Sequence, residues 1–509
     1  KKIILLLFSS LSLAFRHDYA QPSTKNCTEE WFMNLIDHFT PDYPPVHYKQ
    51  RYFAYDHYWT IGNPIFFYAG HEHDVELYVN TMGLFWERAE KFGAMLIWAE
   101  HRFYGKSYPL GKNYTTQDLR YLSVEQTLAD YVRLVSLIKE KRGSPDSAVI
   151  SFGASYGGML ATWMRLKYSD VIDGAIASSA PVLSFQTKVP GFEPNFFAQG
   201  VTRCITQKGG VATDWCEANF RQAFAKGRLA EAGTTAQGRQ ALSEAFSLCE
   251  PLPDDPETGW DLVYWVETAL SHMAQGNYPY TSSYFMNGRG EMPPYPIIKA
   301  CDTFLADDLM ATCNEDPTAL CPALYEGIAS FVGVYYNNSE KLACNDIYTH
   351  LEKESTSEHN MLWDYQCCTE IFQAFGQDGI RDVFWPAPWN ATSEAIRCEN
   401  KYAGILPDMD WGIASFGNPD HWKRTTSNIV WSNGELDPWA GAGVMTNLSD
   451  SLISIMIPQA AHHLDLMFSN KRDTHAVRWA RNFEMAHVLR WIDERRKKIK
   501  NWTATTHAR

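Results

Sequence analysis

Positive charge is what this chain has too little of: 45 Lys and Arg stand against 59 Asp and Glu, a net charge of −14 over 509 residues. That balance excludes an electrostatic grip on nucleic acid or on an anionic membrane. Beyond the first twenty residues no stretch reaches the ~18 uninterrupted apolar residues of a membrane span. There are no internal repeats and no long low-complexity tract, so neither a repeat array nor a disordered linker is expected. The 11 cysteines lack zinc-finger spacing. The loop "GHEHD" (Gly70 to Asp74) holds four ligand-type side chains, but adjacent loop residues rarely converge on one ion, and no histidine follows at helical spacing. No metal and no cofactor is expected.

Apolar residues, by contrast, make up 45% of the chain, enough to bury a large core. The opening "KKIILLLFSSLSLAF" has the anatomy of a secretory signal peptide, assigned to residues 1–20. Nine cysteines fall between residues 200 and 370, and an odd total leaves at least one thiol outside any internal bridge. Sequons stand at Asn26, Asn113, Asn337, Asn390, Asn447 and Asn501. Leader, cysteines and sequons together predict a glycosylated, disulfide-bonded protein that is secreted or lysosomal.

Strand and helix patterns alternate in two separate regions. "PIFFYAG", "AMLIWAEH", "AVISFGAS" and "DGAIASSAPV" read as buried strands, with helices at "GLFWERAEKFG" and "LSVEQTLADYVRLVSLIKEKRG". In the second helix, Ser123 and Gln126 have capping-box spacing. Such alternation predicts an α/β fold with a mostly parallel sheet. The rhythm stops near 190 and returns at "SNIVWSNGELDPW" and "SLISIMIPQAAHH". The expected organisation is therefore a first part over 21–190, an inserted helical cap over 191–405, and a second part over 406–509. The basic run "ERRKK" near the end is expected to be a solvated helix face.

The chemistry centres on "VISFGASYGGMLATW", where Gly153-Ala154-Ser155-Tyr156-Gly157 is G-x-S-x-G between a strand and a helix. The bare pattern is weak; its setting gives it meaning. A nucleophile elbow needs a strand, a tight turn and a helix, because that corner lifts the serine hydroxyl clear of the sheet. The acid and base then follow in chain order at the ends of late strands. Asp437, fixed before Pro438, is taken as the acid in preference to Glu435, while His462 and His463 both qualify as the base. Oxyanion donors are expected from the N–H of Tyr156 and from Gly70 or His71.

"GASYGGMLATWMRLKY", "AEHRFYGKSYP", "SNGELDPWAGAGV", "AAHHLDL", "LIDHF", "YPY" and "WDYQCCTE" resemble the serine exopeptidase family of lysosomal Pro-X carboxypeptidase and the post-proline dipeptidyl aminopeptidases. The likeness spans nearly the whole chain after the leader. It implies an α/β-hydrolase fold with a disulfide-bearing cap, and cleavage of proline-containing peptides. Ser155 falls on the family's nucleophile, Asp437 on its acid and His462 on its base, with Met159 and Trp439 in the proline pocket. Asp364 in "WDYQ" resembles the aminopeptidase branch, where an acidic group would hold a substrate amine, whereas "NGELDPW" resembles the carboxypeptidase branch. The likeness implies the bridges Cys216–Cys301, Cys249–Cys344 and Cys368–Cys398, and it allows a homodimer. Three departures stand out: His71 replaces an asparagine, Met467 replaces an arginine, and the stretch 281–292 is longer. A lipase or esterase, or a catalytically silent binding protein of this fold, are the competing readings.

Overall fold

The computed structural model describes residues 21–507, except 41–43, 185–191, 207–214, 226, 287–289, 305–312, 314–319, 350–356 and 403. The leader expected at 1–20 lies outside the described residues.

Among the described residues eight strands, numbered β1 to β8 in chain order with the bounds given below, form one sheet in the order β1-β2-β4-β3-β5-β6-β7-β8. Strands β3 (Ile65–Ala69), β4 (Met95–Ala99), β5 (Val149–Ala154), β6 (Gly174–Ser178), β7 (Ile429–Gly434) and β8 (Leu452–Ile457) run parallel. Every residue of β3 through β7 is buried, as continuous apolar runs covered by helices on both faces require. Two strands precede this set and run antiparallel: β1 (Thr28–Leu35) on β2 (His47–Tyr55), and β2 on β4. The sequence reading did not anticipate them. In β2 the polar run Lys49-Gln50-Arg51 hides the strand, because Arg51 is buried only through ion pairs with Glu100, Asp74 and Glu76.

The helix Val124–Lys141 starts where expected, with Ser123 Oγ accepting from the Gln126 N–H. The reciprocal half of the capping box is not made. Gln126 instead sends its side-chain amide to Asp37 and accepts from the His38 N–H, tying the helix to the chain after β1.

Between β6 and β7 the described chain is helical, from Phe196–Cys204 to Pro419–Thr425. It has a core of its own, which includes the fully buried Phe220, Leu270 and Phe331, separate from the cores on the sheet's two faces. Disulfides join Cys216 to Cys301, Cys249 to Cys344, Cys368 to Cys398 and also Cys313 to Cys321, a fourth bridge that the sequence reading left unassigned. Cys27, Cys204 and Cys367 are unpaired. Trp411, Phe416 and Trp422 return to the core on one face of the sheet just before β7. The sequon asparagines Asn26, Asn113, Asn390, Asn447 and Asn501 are exposed, and Asn337 is half-buried. The architecture is an α/β-hydrolase sheet carrying a large helical, disulfide-bonded insert.

Candidate active site

Strand β5 ends at Ala154 and the helix Tyr156–Lys167 begins at once, leaving Ser155 as the corner. Its φ of 54° and ψ of −127° lie where few L-residues go, a strain found mainly at functional sites. The turn is tight enough to need its glycines. A Cβ on Gly153 would stand 1.9 Å from the Gly157 carbonyl oxygen. One on Gly157 would stand 2.6 Å from His71 Cδ2 and 2.8 Å from the Ala69 carbonyl oxygen. The Ser155 N–H donates to Ser178 O on β6 at 2.9 Å, fixing the corner to the sheet.

Ser155 opens onto a cavity of about 320 Å³, shared with His71, Tyr156, Met159, Trp439 and His462. The insert supplies other walls, among them Gln275, Tyr284, Phe285 and Trp363. Sequence reasoning missed all four, and their only signal was the unusual length of 281–292 for Tyr284 and Phe285. That volume is at the small end of the ~300–1,000 Å³ usual for ligand sites, so it suits a few residues of a chain rather than a long segment.

His462 and Asp437 are buried, at 2% and 0% exposure, and Nδ1 of the imidazole lies 2.9 Å from both carboxylate oxygens. That contact fixes the tautomer and leaves Nε2 for the serine side. Asp437 also accepts from the Trp439 N–H at 3.0 Å. Glu435 is turned elsewhere, accepting from the Gln459 N–H. His463 donates its N–H to Ser179 Oγ, and its Nδ1 has no partner among the described residues. The loop that carries both histidines is anchored from below. Asp465 accepts from the Ser178 and Ser432 hydroxyls at 2.7 Å each, and the Arg481 guanidinium donates to the Asp465 and Leu464 carbonyls.

Two expected residues are not where the sequence reading put them. The Gly70 N–H is spent on Ala99 O at 3.1 Å, so Gly70 has no donor left for an oxyanion. Among the described residues no acceptor takes the His71 N–H, which leaves it, with Tyr156 at the helix start, as a donor pair. The His71 ring stacks on Tyr78 with centroids 4.0 Å apart, and its Nδ1 lies 2.5 Å from Glu72 Oε2. Burial pushes the Glu72 carboxyl up, but the adjoining His71, a backbone hydrogen bond and His359 together outweigh it and bring Glu72 down to about 2. Asp364 does not reach the cavity. Its carboxylate is taken by Arg397 and Lys401, each at 2.8 Å, and by the Tyr402 hydroxyl at 2.7 Å. Met467 is buried in the core on one face of the sheet and is not part of the cavity wall.

Met159 lies one turn beyond Ser155 on the same helix and is fully buried apart from the cavity. Trp439 is backed by Phe197 and Phe375, with centroids 4.9 and 5.7 Å away, so its indole forms a rigid wall. Among the described residues no group of His, Cys, Asp and Glu has the arrangement of a metal site. A strained serine, an imidazole fixed by a buried carboxylate and an apolar wall can together carry out acyl transfer.

Residues 34–484 match the family described as serine carboxypeptidase S28. The lysosomal Pro-X carboxypeptidase of Bos taurus is 35% identical over 470 residues, covering 91% of this chain and 88% of that protein. The Homo sapiens enzyme of the same name is 34% identical over 475 residues, covering 92% and 89%. The prolyl carboxy peptidase like protein 5 of Caenorhabditis elegans is 34% identical over 486 residues, covering 90% and 88%.

Proposed function

The chain belongs to the serine carboxypeptidase S28 family and is a serine-type peptidase; from that premise we propose that it is a secreted or lysosomal exopeptidase that cuts peptides after proline through Ser155, His462 and Asp437. The observation that carries this reading is the His462–Asp437 pair, 2.9 Å apart, with His462 on the wall of the cavity that Ser155 opens onto and Asp437 buried behind it. Ser155 Oγ attacks the carbonyl carbon that follows the proline ring, while His462 Nε2 takes the hydroxyl proton. The tetrahedral oxyanion is held by the N–H groups of Tyr156 and His71, each worth about 3 kcal/mol in comparable sites. His462 then returns the proton to the leaving amine, the C–N bond breaks, and a Ser155 ester remains for water to hydrolyse. Asp437 orients the imidazole and stabilises the imidazolium that forms. The pyrrolidine ring packs between the Met159 thioether and the Trp439 indole. The insert, read as 191–405, caps this cavity and limits it to chain ends.

Ser155→Ala tests the assignment. The variant should fold, refuse labelling by a fluorophosphonate, and lose turnover of a prolyl peptide reporter by at least about 10³-fold. Turnover that survives the substitution counts against it.

A second reading, removal of dipeptides from the amino terminus, is favoured by one feature of the wall. Among the described residues Glu72 is its one carboxylate, and no Lys or Arg lines it to pair with a terminal carboxylate. Mass spectrometry of products from a peptide with proline second from each end separates the two directions.

A further inference from the structure

The insert does more than cover the cavity: it holds the main chain of His462. The His462 N–H donates to Gln275 O at 3.2 Å, and the His462 carbonyl accepts from the Tyr278 hydroxyl at 2.8 Å. Gln275 is the last residue of the insert helix Thr258–Gln275, and its Oε1 accepts from Trp439 Nε1 at 2.9 Å. Two residues of the insert, Gln275 and Tyr278, thus reach the base and the proposed proline wall together. The acid loop is held from the same side: Leu436 packs in the insert's own core, and the Cys204 thiol donates to its carbonyl at 2.9 Å. Among the described residues Ser155 itself has no such tie: its N–H is held by Ser178 at the end of β6, and the insert reaches the elbow through the side chain of Tyr156, whose hydroxyl accepts from Gln366 Nε2 at 3.0 Å.

The physical cause is a shortage of local partners. After β7 and β8 the chain leaves the sheet, so its buried N–H and C=O groups need acceptors and donors from elsewhere. The insert supplies them. From this we infer that Tyr278 and Gln275 are positioning residues, clasping His462 and Trp439, so that displacement of the insert would separate the base from Ser155. The inference rests on the reading of Ser155, His462 and Asp437 as the catalytic set.

Tyr278→Phe deletes one buried hydroxyl and little else. Misplacing a catalytic group by about 1 Å can cost ~10²-fold, and a loosened carbonyl tie is expected to cost about tenfold in kcat per fluorophosphonate-titrated site. KM should stay within about twofold and the melting temperature within a few degrees, a split that general destabilisation does not produce. Unchanged kcat per titrated site, or kcat, KM and melting temperature moving together, overturns the clasp. Hydrogen exchange in the wild-type protein gives a check that needs no variant. The His462 amide should exchange with the helix Thr258–Gln275, and exchange in step with β8 instead counts against the proposal. A wild-type protein that cleaves no prolyl peptide would sink the peptidase reading itself, whereas an active wild type with an unaffected Tyr278→Phe sinks only the clasp.

Discussion

At Gly157 the elbow touches the loop proposed to hold the oxyanion. A side chain there meets the Ala69 carbonyl, which is main chain and cannot swing aside, and the His71 ring, which is pinned by Tyr78 and Glu72. Gly157→Ala should therefore displace the loop that carries the His71 N–H, lowering kcat by at least about tenfold with little change in proline binding. Equal kcat in the variant would mean the loop is not a donor. Asp437→Asn has a sharper expected outcome. The amide can donate where the carboxylate accepted, which favours the wrong imidazole tautomer, and kcat should fall by about 10⁴-fold while the protein still folds. Asp364 shows how far a residue's neighbours decide its use. Burial raises its carboxyl, but Lys401, Tyr402 and Arg397 outweigh that and hold it below the usual range, already paired.

Elements obeyed their sequence signals where the signal was local. The helix Gly83–Phe92 stops at Gly93, with φ of 57°, and Val124–Lys141 is followed by Gly143, with φ of 62°. Both follow from a left-handed position that glycine adopts without cost. The antiparallel strands β1 and β2 had no such signal, since their stability comes from pairing with each other, from the pairing of β2 with β4, and from neutralising Arg51. The insert depends on a different device. Cys249–Cys344 closes a loop of 95 residues' separation across helices with a core of their own. Replacing both cysteines by serine should cost about 2–5 kcal/mol, seen as a new transition at lower temperature in calorimetry. A single unshifted transition would show the insert to be held by its apolar core alone.

Over the whole molecule, buried ionisable groups set an acid-side stability optimum. Burial, reinforced by Asp465, drives Glu484 well above the carboxyl range; burial and Glu125 do the same to Glu370, and burial pushes Glu267 up to about 7. A raised folded pKa contributes stability that is complete below the ordinary value of 4.5 and is lost as pH rises through the folded value. Burial lowers His101 and His359 to about 4, so their contribution is present above 6.5 and is lost as pH falls toward 4. Between 4.5 and 6.5 the two sets trade off, the carboxyls' contribution falling as the histidines' rises; below 4.5 only loss from the histidines continues, and above 6.5 only loss from the carboxyls. The melting temperature should peak in that window and fall by several degrees toward pH 8.5, with Glu484→Gln flattening the alkaline side. A melting temperature still rising from pH 6.5 to 8.5 contradicts this. Such a profile suits an acidic compartment. No helix among the described residues is long and apolar enough to cross a membrane.

The sequence by itself determined whatever is decided within a few residues: the strand–corner–helix around Ser155, the parallel core strands, the helix ends, and the type of chemistry a serine between glycines allows. Tertiary structure alone decided which distant groups meet. Asp437 and His462 lie some 280 to 310 positions beyond Ser155, and Gln275 and Tyr278 come from a third region, so no local pattern encodes their distances. The same holds for the proposed oxyanion loop, where Ala99 is near enough to take the Gly70 N–H and not that of His71. Local conformational preference acts over one turn of chain. Convergence is set by packing and hydrogen-bond satisfaction across the fold, and these exist only once the chain is folded.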